Sequence, residues 1–224
     1  MSKVVCIPDT SALQNLRGIV IGGRDIRYWL MDELEIRLTG EILGELENRR
    51  AELEAPDALF NRLKELAQRV QLENDLREAL NNLVGQRLSR FHNGELSSVM
   101  LGLRLVKKDS SMVRHVILLS DDENAFESEQ GKHLLKTMPA FRFWTSADFV
   151  LYLAFRLGAR RKVGMRKEDF YNALETAIQH MCDPVLKMPS GTLVREETRQ
   201  RWLGRRSEYL AWLGRAYEGS GVNW

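Results

Sequence analysis

The sequence predicts an α/β fold of three layers, in which a parallel β-sheet is flanked by helices, with a long helical insertion and a C-terminal helical extension. Two short apolar segments, Lys3–Ile7 and His115–Leu119, are typical of strands that are buried on both faces of a parallel sheet. Elsewhere, apolar residues recur at spacings of three and four, as in amphipathic helices. Because strands and helices alternate along the chain, we expect right-handed crossovers and parallel strands.

The first strand is followed at once by a helix. Pro8 ends the strand, and Thr10 and Ser11 are good N-cap residues for the helix that comes next. Asp9 is an equally good N-cap residue. Its position alone therefore allows a structural role as well as a chemical one.

The next elements are a turn, a short strand and a helix. Gly22-Gly23 predicts a turn before a second helix. Leu34–Leu38 alternates between apolar and polar residues like a strand, and Thr39 then predicts the N-cap of a helix over about 40–53.

A long helical arm is predicted over about 54–90. Its apolar residues recur at helical spacing: Phe60, Leu63, Ala67, Val70, Leu72, Leu76, Leu80 and Leu83. Asn93-Gly94 interrupts this pattern, and Glu95–Val106 is predicted as the next helix.

The C-terminal part adds one strand and several helices. After the His115–Leu119 strand a helix is predicted up to about residue 136, and Phe141–Trp144 is predicted as the last strand. Helices are expected over 147–157 and 168–180. A stretch containing proline and glycine then leads to a basic helix over 195–218.

Composition excludes several classes of protein. Hydrophobic residues make up 44% and charged residues 29%, unlike a disordered or collagen-like chain. The longest apolar run, Phe149–Phe155, is far shorter than the roughly 20 residues of a membrane span, and the N-terminus does not resemble a secretory signal. Cys6 and Cys182 make neither a disulfide framework nor a zinc pattern. We therefore expect a cytoplasmic protein with no membrane contact.

The net charge of +2 is too small to indicate nucleic-acid binding by itself, but the charge is unevenly distributed. Residues 140–224 carry 14 Lys or Arg against 9 Asp or Glu. That part is therefore +5, and the rest of the chain is −3.

Acidic residues follow the predicted strands at the edge where a parallel sheet forms its functional crevice. Asp9 comes directly after the first strand, and Asp121 and Asp122 come just after the second apolar strand. Glu45 and Glu95 lie in early turns of helices that could reach the same crevice. Carboxylates packed together repel one another unless a cation neutralises them. Because oxygen ligands without His or Cys suit Mg²⁺ or Mn²⁺, these five acids are predicted metal ligands.

Each acid also has a simpler explanation. Glu41, one turn before Glu45, suits the first turn of a helix, where an acid interacts favourably with the helix dipole. Glu47 would lie about 200° around the helix from Glu45. Glu95 could likewise be a first-turn acid, and the acids after the second apolar strand could form a polar turn.

Four short motifs occur in order along the chain. They are Pro8-Asp9-Thr10-Ser11-Ala12-Leu13 at the end of a buried strand, Glu45-Leu46, Gly94-Glu95, and Ser120-Asp121-Asp122 after an apolar strand. Together they resemble the PIN domain of metal-dependent ribonucleases, and Phe143-Trp144-Thr145-Ser146 with the helices that follow is similar to the end of that fold. The resemblance covers about residues 1–183. It implies a PIN-like nuclease domain over 1–183, with the arm at about 54–90, and a basic helical C-terminal extension over 184–224.

The resemblance implies catalytic, metal-binding roles for Asp9, Glu45, Glu95 and Asp122. Asp121 is a second candidate for the fourth position. Auxiliary roles fall on the hydroxyl residues beside these acids: Thr10, Ser11 and Ser120. The implied activity is that of an endoribonuclease that hydrolyses RNA phosphodiester bonds with a metal-activated water, leaving 5′-phosphate and 3′-hydroxyl ends.

The resemblance also implies partners. The substrate is RNA, and because many PIN proteins of this size are toxins, a small inhibitory antitoxin-like protein is a further candidate. Defence and RNA-processing roles stay open beside the toxin role. Apolar stripes on the arm and the C-terminal helix make a homodimer reasonable. A noncatalytic PIN-like scaffold that binds RNA or protein, and a DNA-directed nuclease, are the alternative functions.

Basic residues cluster around a turn at Gly164. They are Arg160, Arg161, Lys162, Arg166 and Lys167. They form either a solvated loop or a contact surface for the phosphate backbone of the nucleic acid.

Overall fold

A computed structural model gives the fold and describes residues 3–68, 78, 80–82, 85, 91–108, 113–122, 126, 128–158, 165–183 and 196–218. In chain order, the strands are β1 (Lys3–Pro8), β2 (Val20–Ile21), β3 (Arg24–Asp25), β4 (Glu35–Ile36), β5 (Leu38–Thr39), β6 (Ala67–Gln68), β7 (Val113–Leu119) and β8 (Phe141–Trp144). The helices are α1 (Thr10–Asn15), α2 (Ile26–Glu33), α3 (Gly40–Asn48), α4 (Arg50–Leu53), α5 (Asp57–Glu65), α6 (Asn93–Lys108), α7 (Glu129–Thr137), α8 (Ser146–Gly158), α9 (Lys167–Met181) and α10 (Glu196–Glu218). None of these helices combines the length and the apolar character needed to cross a bilayer.

Four parallel strands form the central sheet, in the order β4-β1-β7-β8. Two hydrogen bonds continue this pairing beyond the strand ends: the N–H of Asp9 donates to the carbonyl of Leu119, and the N–H of Ser120 donates to that of Trp144, both at 2.9 Å. The predicted α/β fold, with a parallel sheet flanked by helices, is thus confirmed. The pairing also brings the residues that follow β1 and β7 to one edge of the sheet.

Both faces of the central strands are buried, which explains their continuous apolar sequence. Val5 and Ile7 of β1 belong to a core cluster with side chains from β7, α6 and α7. Cys6, which points to the opposite face, is also fully buried. Burial raises the pKa of the Cys6 thiol, so that it stays protonated.

Helix α6 lies close to the sheet at Gly102. A Cβ atom at this position would lie 2.6 Å from Cε1 of Phe141 and 3.0 Å from Cγ1 of Val116. Gly102→Ala is therefore expected to lower the free energy of unfolding by about 1–3 kcal/mol through overpacking, although alanine is the better helix former. Urea unfolding measures the change. Gly44→Ala on α3 is the matched control, because nothing lies within 4 Å of its added Cβ, and equal stability of the two variants would contradict the prediction.

The chain divides into two compact units. One contains residues 1–17 and 27–145, including the central sheet, and the other contains residues 18–26 and 146–224. In the second unit, the hydroxyl of Tyr171 on α9 lies near the carbonyls of Ala154 and Ala216, at 3.3 and 3.2 Å. The domain boundary expected at 183–184 stays a prediction.

Local hydrogen bonds correct several details of the predicted elements. The N-cap of α1 is Asp9, not Thr10 or Ser11, because Asp9 has an extended backbone and its carboxylate accepts from the N–H of Ala12. The predicted strand Leu34–Leu38 is split, since the N–H of Arg37 still bonds to β1 whereas that of Leu38 bonds to the carbonyl of Leu66. This switch starts the separate parallel pair β5-β6.

The helices differ from the prediction at three places. The helix expected over 40–53 is interrupted at Arg49, which separates α3 from α4. Helix α6 starts at Asn93, two residues before the predicted start at Glu95. Of the arm expected at about 54–90, α5 and β6 cover its first part, and most of its remainder lies outside the described residues.

The Gly22-Gly23 turn is confirmed. Both glycines have positive φ, 63° and 73°, and they connect β2 and β3 in an antiparallel hairpin that precedes α2. The hairpin itself was not predicted, because strands of two residues carry too little pattern.

Candidate active site

The predicted acids of the central sheet gather beyond the carboxyl ends of β1 and β7. Asp9 follows β1, and Ser120, Asp121 and Asp122 follow β7. Hydrogen bonds from hydroxyl groups join these segments to each other and to α3. This is the edge at which parallel α/β sheets bind ligands.

Asp9 is at the centre of this arrangement. Its Oδ1 atom accepts hydrogen bonds from the N–H of Ala12 and the hydroxyl of Ser11, both at 2.8 Å, and its Oδ2 atom accepts from the hydroxyl of Ser120. The residue is only 8% exposed. Burial raises the pKa of Asp9 to about 7, since the loss of hydration outweighs these three hydrogen bonds, and the charge of Asp121 raises it further. Asp9 is thus both a helix cap and a carboxylate that is costly to ionise.

The turn after β7 is held by the same hydroxyl groups. The Ser120 hydroxyl oxygen accepts from the N–H of Asp122 at 3.0 Å, and that of Ser11 accepts from the N–H of Asp121 at 3.0 Å. Each serine therefore donates to Asp9 and accepts from the backbone of the turn. The predicted auxiliary residues thereby connect Asp9 to the Asp121-Asp122 segment.

Glu45 reaches the site from α3. Its Oε2 atom accepts from the hydroxyl of Thr10 at 2.7 Å, and a Cβ atom at Gly94 would lie 3.1 Å from its Oε1 atom. Glu45 therefore lies between Thr10, which follows Asp9, and Gly94, which precedes Glu95. Helix α3 starts at its predicted N-cap, Thr39, whose buried hydroxyl is 2.7 Å from that of Ser97 on α6.

Glu95 lies in the first turn of α6 and is 9% exposed. Its Oε2 atom is buried and accepts no hydrogen bond from the described residues. The pKa of Glu95 is raised, first by burial and also by the negative charge of Asp122. A carboxylate oxygen that is buried without a donor is unusual, and it fits a group that binds a ligand.

Two other glutamates on α3 were alternatives to Glu45. Glu47 forms an ion pair with Lys64 at 3.1 Å, away from Asp9. Glu41 has a buried Oε2 atom that, like that of Glu95, has no hydrogen-bond partner in the described part of the chain. This burial could not be predicted from the sequence, because an acid in the first turn of a helix also interacts favourably with the helix dipole when it is exposed.

Within the described residues, no group of three or more His, Cys, Asp and Glu side chains is arranged so that it could hold a metal ion. The carboxylates of Asp9, Glu45 and Asp121 are instead engaged by hydroxyl and amide donors. The chemistry of the ligand set nevertheless fits a hard divalent cation, because the ligand atoms are oxygens and the buried Oε2 atom of Glu95 accepts no hydrogen bond from the described residues. Cation binding would require these side chains to exchange some of the present hydrogen bonds.

Two of the five basic candidates, Arg166 and Lys167, are among the described residues, and both have partners in the second unit. Arg160, Arg161 and Lys162 lie outside the described residues. Arg166 forms a bidentate ion pair with Asp169 on α9, and Lys167 donates to the carbonyl of Tyr217 at 2.5 Å. The predicted contact of these residues with nucleic acid stays a prediction.

Sequence reasoning missed one residue of the site. The amide of Asn15 donates to Oδ2 of Asp121 at 2.8 Å. Asn15 lies four residues after Ser11, so both are on the same face of α1. That spacing was visible in the sequence and could have identified Asn15.

Replacement of Gly94 should separate activity from stability. An added Cβ would press on the Glu45 carboxylate. We therefore expect Gly94→Ala to lower by about tenfold the metal-dependent RNA cleavage that the resemblance to PIN domains implies, comparable to the loss of a residue that orients a metal ligand. The free energy of unfolding should be unchanged or increase, because Gly94 lies in a helix without positive φ. Cleavage assays and urea unfolding test this, with Gly44→Ala as the control. A fall in stability without loss of cleavage would contradict it.

Comparisons with known proteins give no further assignment. No protein-family model, no curated protein and no solved structure matches this chain.

Proposed function

We propose that this protein is a Mg²⁺- or Mn²⁺-dependent endoribonuclease with a PIN-like fold. The observation that carries the proposal is the set of acids from four separate segments at this edge of the sheet. Asp9 is joined through Ser120 to the turn that contains Asp122, and Glu45 accepts from the neighbouring Thr10. Glu95 interacts electrostatically with Asp122, and its buried Oε2 atom accepts no hydrogen bond from the described residues. Burial of the Asp9 and Glu95 carboxylates makes their ionisation costly unless a cation binds them. Ligand binding explains such a crevice better than a contribution to the stability of the fold does.

Asp9, Glu45, Glu95 and Asp122 would hold the cation, with Asp121 as the alternative to Asp122. When bound, a divalent cation of this kind activates water and stabilises charge on a phosphodiester. The protein itself contributes orientation. Ser11 and Ser120 restrict Asp9 to one position, and the hydroxyl of Thr10 does the same for Glu45.

The protonation of Asp9 also matters for this function. With its pKa near 7, the carboxyl group without a cation holds a proton for part of the time at neutral pH. A cation has to displace that proton, so its affinity should rise with pH up to about the pKa of Asp9. This is a property of the chain that does not depend on the identity of the RNA.

RNA is favoured as the substrate by the resemblance to PIN ribonucleases, and this choice is tested directly. Purified protein is incubated with single-stranded RNA, structured RNA and matching DNA in Mn²⁺, Mg²⁺ or EDTA, and the product ends are mapped. We expect internal cleavage of RNA that needs the cation and leaves 5′-phosphate and 3′-hydroxyl ends. Ends with 2′,3′-cyclic phosphate, or cleavage in EDTA, would overturn the proposal.

Helix α3 offers a matched pair of variants for this assay. Glu45→Gln should abolish most of the cleavage, whereas Glu47→Gln should keep it, because Glu47 is paired with Lys64. If RNA is bound but not cleaved by the wild-type protein under any condition, the noncatalytic scaffold is the better description. Cleavage of DNA alone would identify the DNA-directed alternative.

A further inference from the structure

We propose that Asn15 is a positioning residue of the cleavage site, which holds Asp121 on α1 and thereby leaves Asp122 as the carboxylate presented to Glu95. The inference rests on the proposed function and deepens it, because it assigns different roles to two neighbouring acids. In this assignment Asp121 positions the turn after β7, and Asp122 binds the cation.

Asn15 contacts Asp121 directly through its side chain. The amide Nδ2 atom of Asn15 donates to Oδ2 of Asp121 at 2.8 Å, and both residues are half-buried. The acceptor is a carboxylate, so the hydrogen bond is charge-assisted and stronger than one between neutral groups. It connects the end of α1 to a turn that is far away in the sequence.

A second contact fixes the same residue from the same helix face. Ser11, one turn before Asn15, accepts from the N–H of Asp121 at 3.0 Å while it donates to Asp9 at 2.8 Å. Helix α1 therefore holds both the backbone and the side chain of Asp121. Its carboxylate is directed to the end of α1.

Asp122 has different surroundings. Its N–H donates to the hydroxyl of Ser120, which donates to Asp9. The charge of Asp122 acts on Glu95, whose buried Oε2 atom accepts no hydrogen bond from the described residues. Of the two acids in the turn, Asp122 is thus the one whose charge acts on a carboxylate with one unsatisfied oxygen in the described part of the chain.

A residue that orients a metal ligand typically contributes about tenfold to a hundredfold to metal affinity. We therefore expect Asn15→Ala and Asp121→Ala each to weaken Mn²⁺ binding by about tenfold, as measured by calorimetry on the full chain. Cleavage of RNA at subsaturating Mn²⁺ should fall in parallel and should recover at saturating Mn²⁺. Asp121→Asn should keep most of the affinity, because its Oδ1 atom can still accept from the amide of Asn15.

The decisive variant exchanges the two groups. In Asn15→Asp combined with Asp121→Asn, the amide lies on the turn and the carboxylate lies on α1, so the hydrogen bond can form again with reversed polarity. If Asp121 only positions the turn, the exchange restores Mn²⁺ affinity to within about threefold of the wild type, the remainder reflecting the poor fit of a carboxylate to a helix C-terminus. If Asp121 is a ligand, the exchange and Asp121→Asn both bind Mn²⁺ as weakly as Asp121→Ala, and the proposal is overturned.

A similar pair on the same helix is the control. The amide of Gln14 donates to the carboxylate of Glu52 at 3.1 Å in an exposed position. Gln14→Ala, and the exchange of Gln14 with Glu52, should leave Mn²⁺ affinity unchanged. An equal loss in Gln14→Ala and Asn15→Ala would mean that any damage to α1 has this effect, which would also overturn the proposal.

Amide hydrogen exchange without metal separates this proposal from the proposed function. A folded wild-type protein that neither binds Mn²⁺ nor cleaves RNA would end the nuclease assignment. In that case, faster exchange at the Asp121 and Asp122 amides in Asn15→Ala, reversed in the exchanged pair, would still support the positioning role. Unchanged exchange rates at these amides would overturn it.

Discussion

Asp9→Asn is expected to reduce metal-dependent RNA cleavage by a factor of about 10² to 10³, the range seen when one preorganised electrostatic group of an active site is removed. Asparagine has the same shape as aspartate and is an equally good N-cap, so its Oδ1 atom can still accept from the N–H of Ala12. Its amide can donate to the oxygen of Ser120, which replaces the present contact with reversed direction. The variant should therefore fold and lack only the charge.

A control acid should show that the effect belongs to the crevice. Asp57→Asn removes an acid from the first turn of α5, where the side chain is 97% exposed and pairs with Arg50. We expect this variant to cleave RNA at the wild-type rate. Cleavage by Asp9→Asn within a few-fold of the wild type would remove Asp9 from the site, even if the wild-type protein is a nuclease.

The second large effect concerns stability without metal. The folded protein raises the pKa of Asp9 from 3.8 to about 7, mainly by burial. Between these two values the folded state still holds a proton that the unfolded state has released, so the free energy of unfolding falls as the pH rises through this window. Above about pH 7 the loss is complete, and at 1.36 kcal/mol per unit it amounts to about 2–4 kcal/mol.

Asp9→Asn removes this dependence. In EDTA, its stability relative to the wild type should increase from pH 4 to pH 7 and then stay constant, so that the variant is the more stable protein at pH 8. Urea unfolding at a series of pH values measures the difference. A difference that is constant over the whole range would mean that Asp9 is a satisfied helix cap whose ionisation costs nothing.

Addition of Mn²⁺ at pH 8 should reverse the order of the two proteins. A cation that binds only the folded state stabilises that state. Once the cation concentration exceeds the dissociation constant, the stabilisation grows with the logarithm of the ratio of the two. The wild type should gain this stabilisation and the variant should gain much less. If Mn²⁺ stabilises both proteins equally, the cation binds elsewhere.

The sequence was sufficient for the central strands β1, β7 and β8 and for the edge of the sheet at which the acids gather. Val4–Pro8 and Val116–Leu119 are apolar throughout because both faces of the sheet are covered, and that pattern is recognisable without coordinates. The positions of Asp9 and Ser120 follow from it, since residues just after parallel strands lie at one edge.

What the sequence could not supply depends on contacts between distant segments. The buried, unpartnered oxygen of Glu95 depends on how α6 packs, and the bond from Asn15 to Asp121 depends on the pairing of β1 with β7. The break between α3 and α4 and the two-residue strands β2 and β3 are too short to leave a periodic pattern. Local pattern therefore identified the acids, whereas their partners required the fold.

The pairing of β1 with β7 has a consequence during synthesis. A ribosome translates about a hundred residues between Asp9 and the strand that must lie beside β1, which is followed by the turn with Ser120 and Asp122. Loop closure over such a distance is slow compared with helix formation. A nascent polypeptide thus cannot join Asp9 to Ser120 until β7 has left the ribosome.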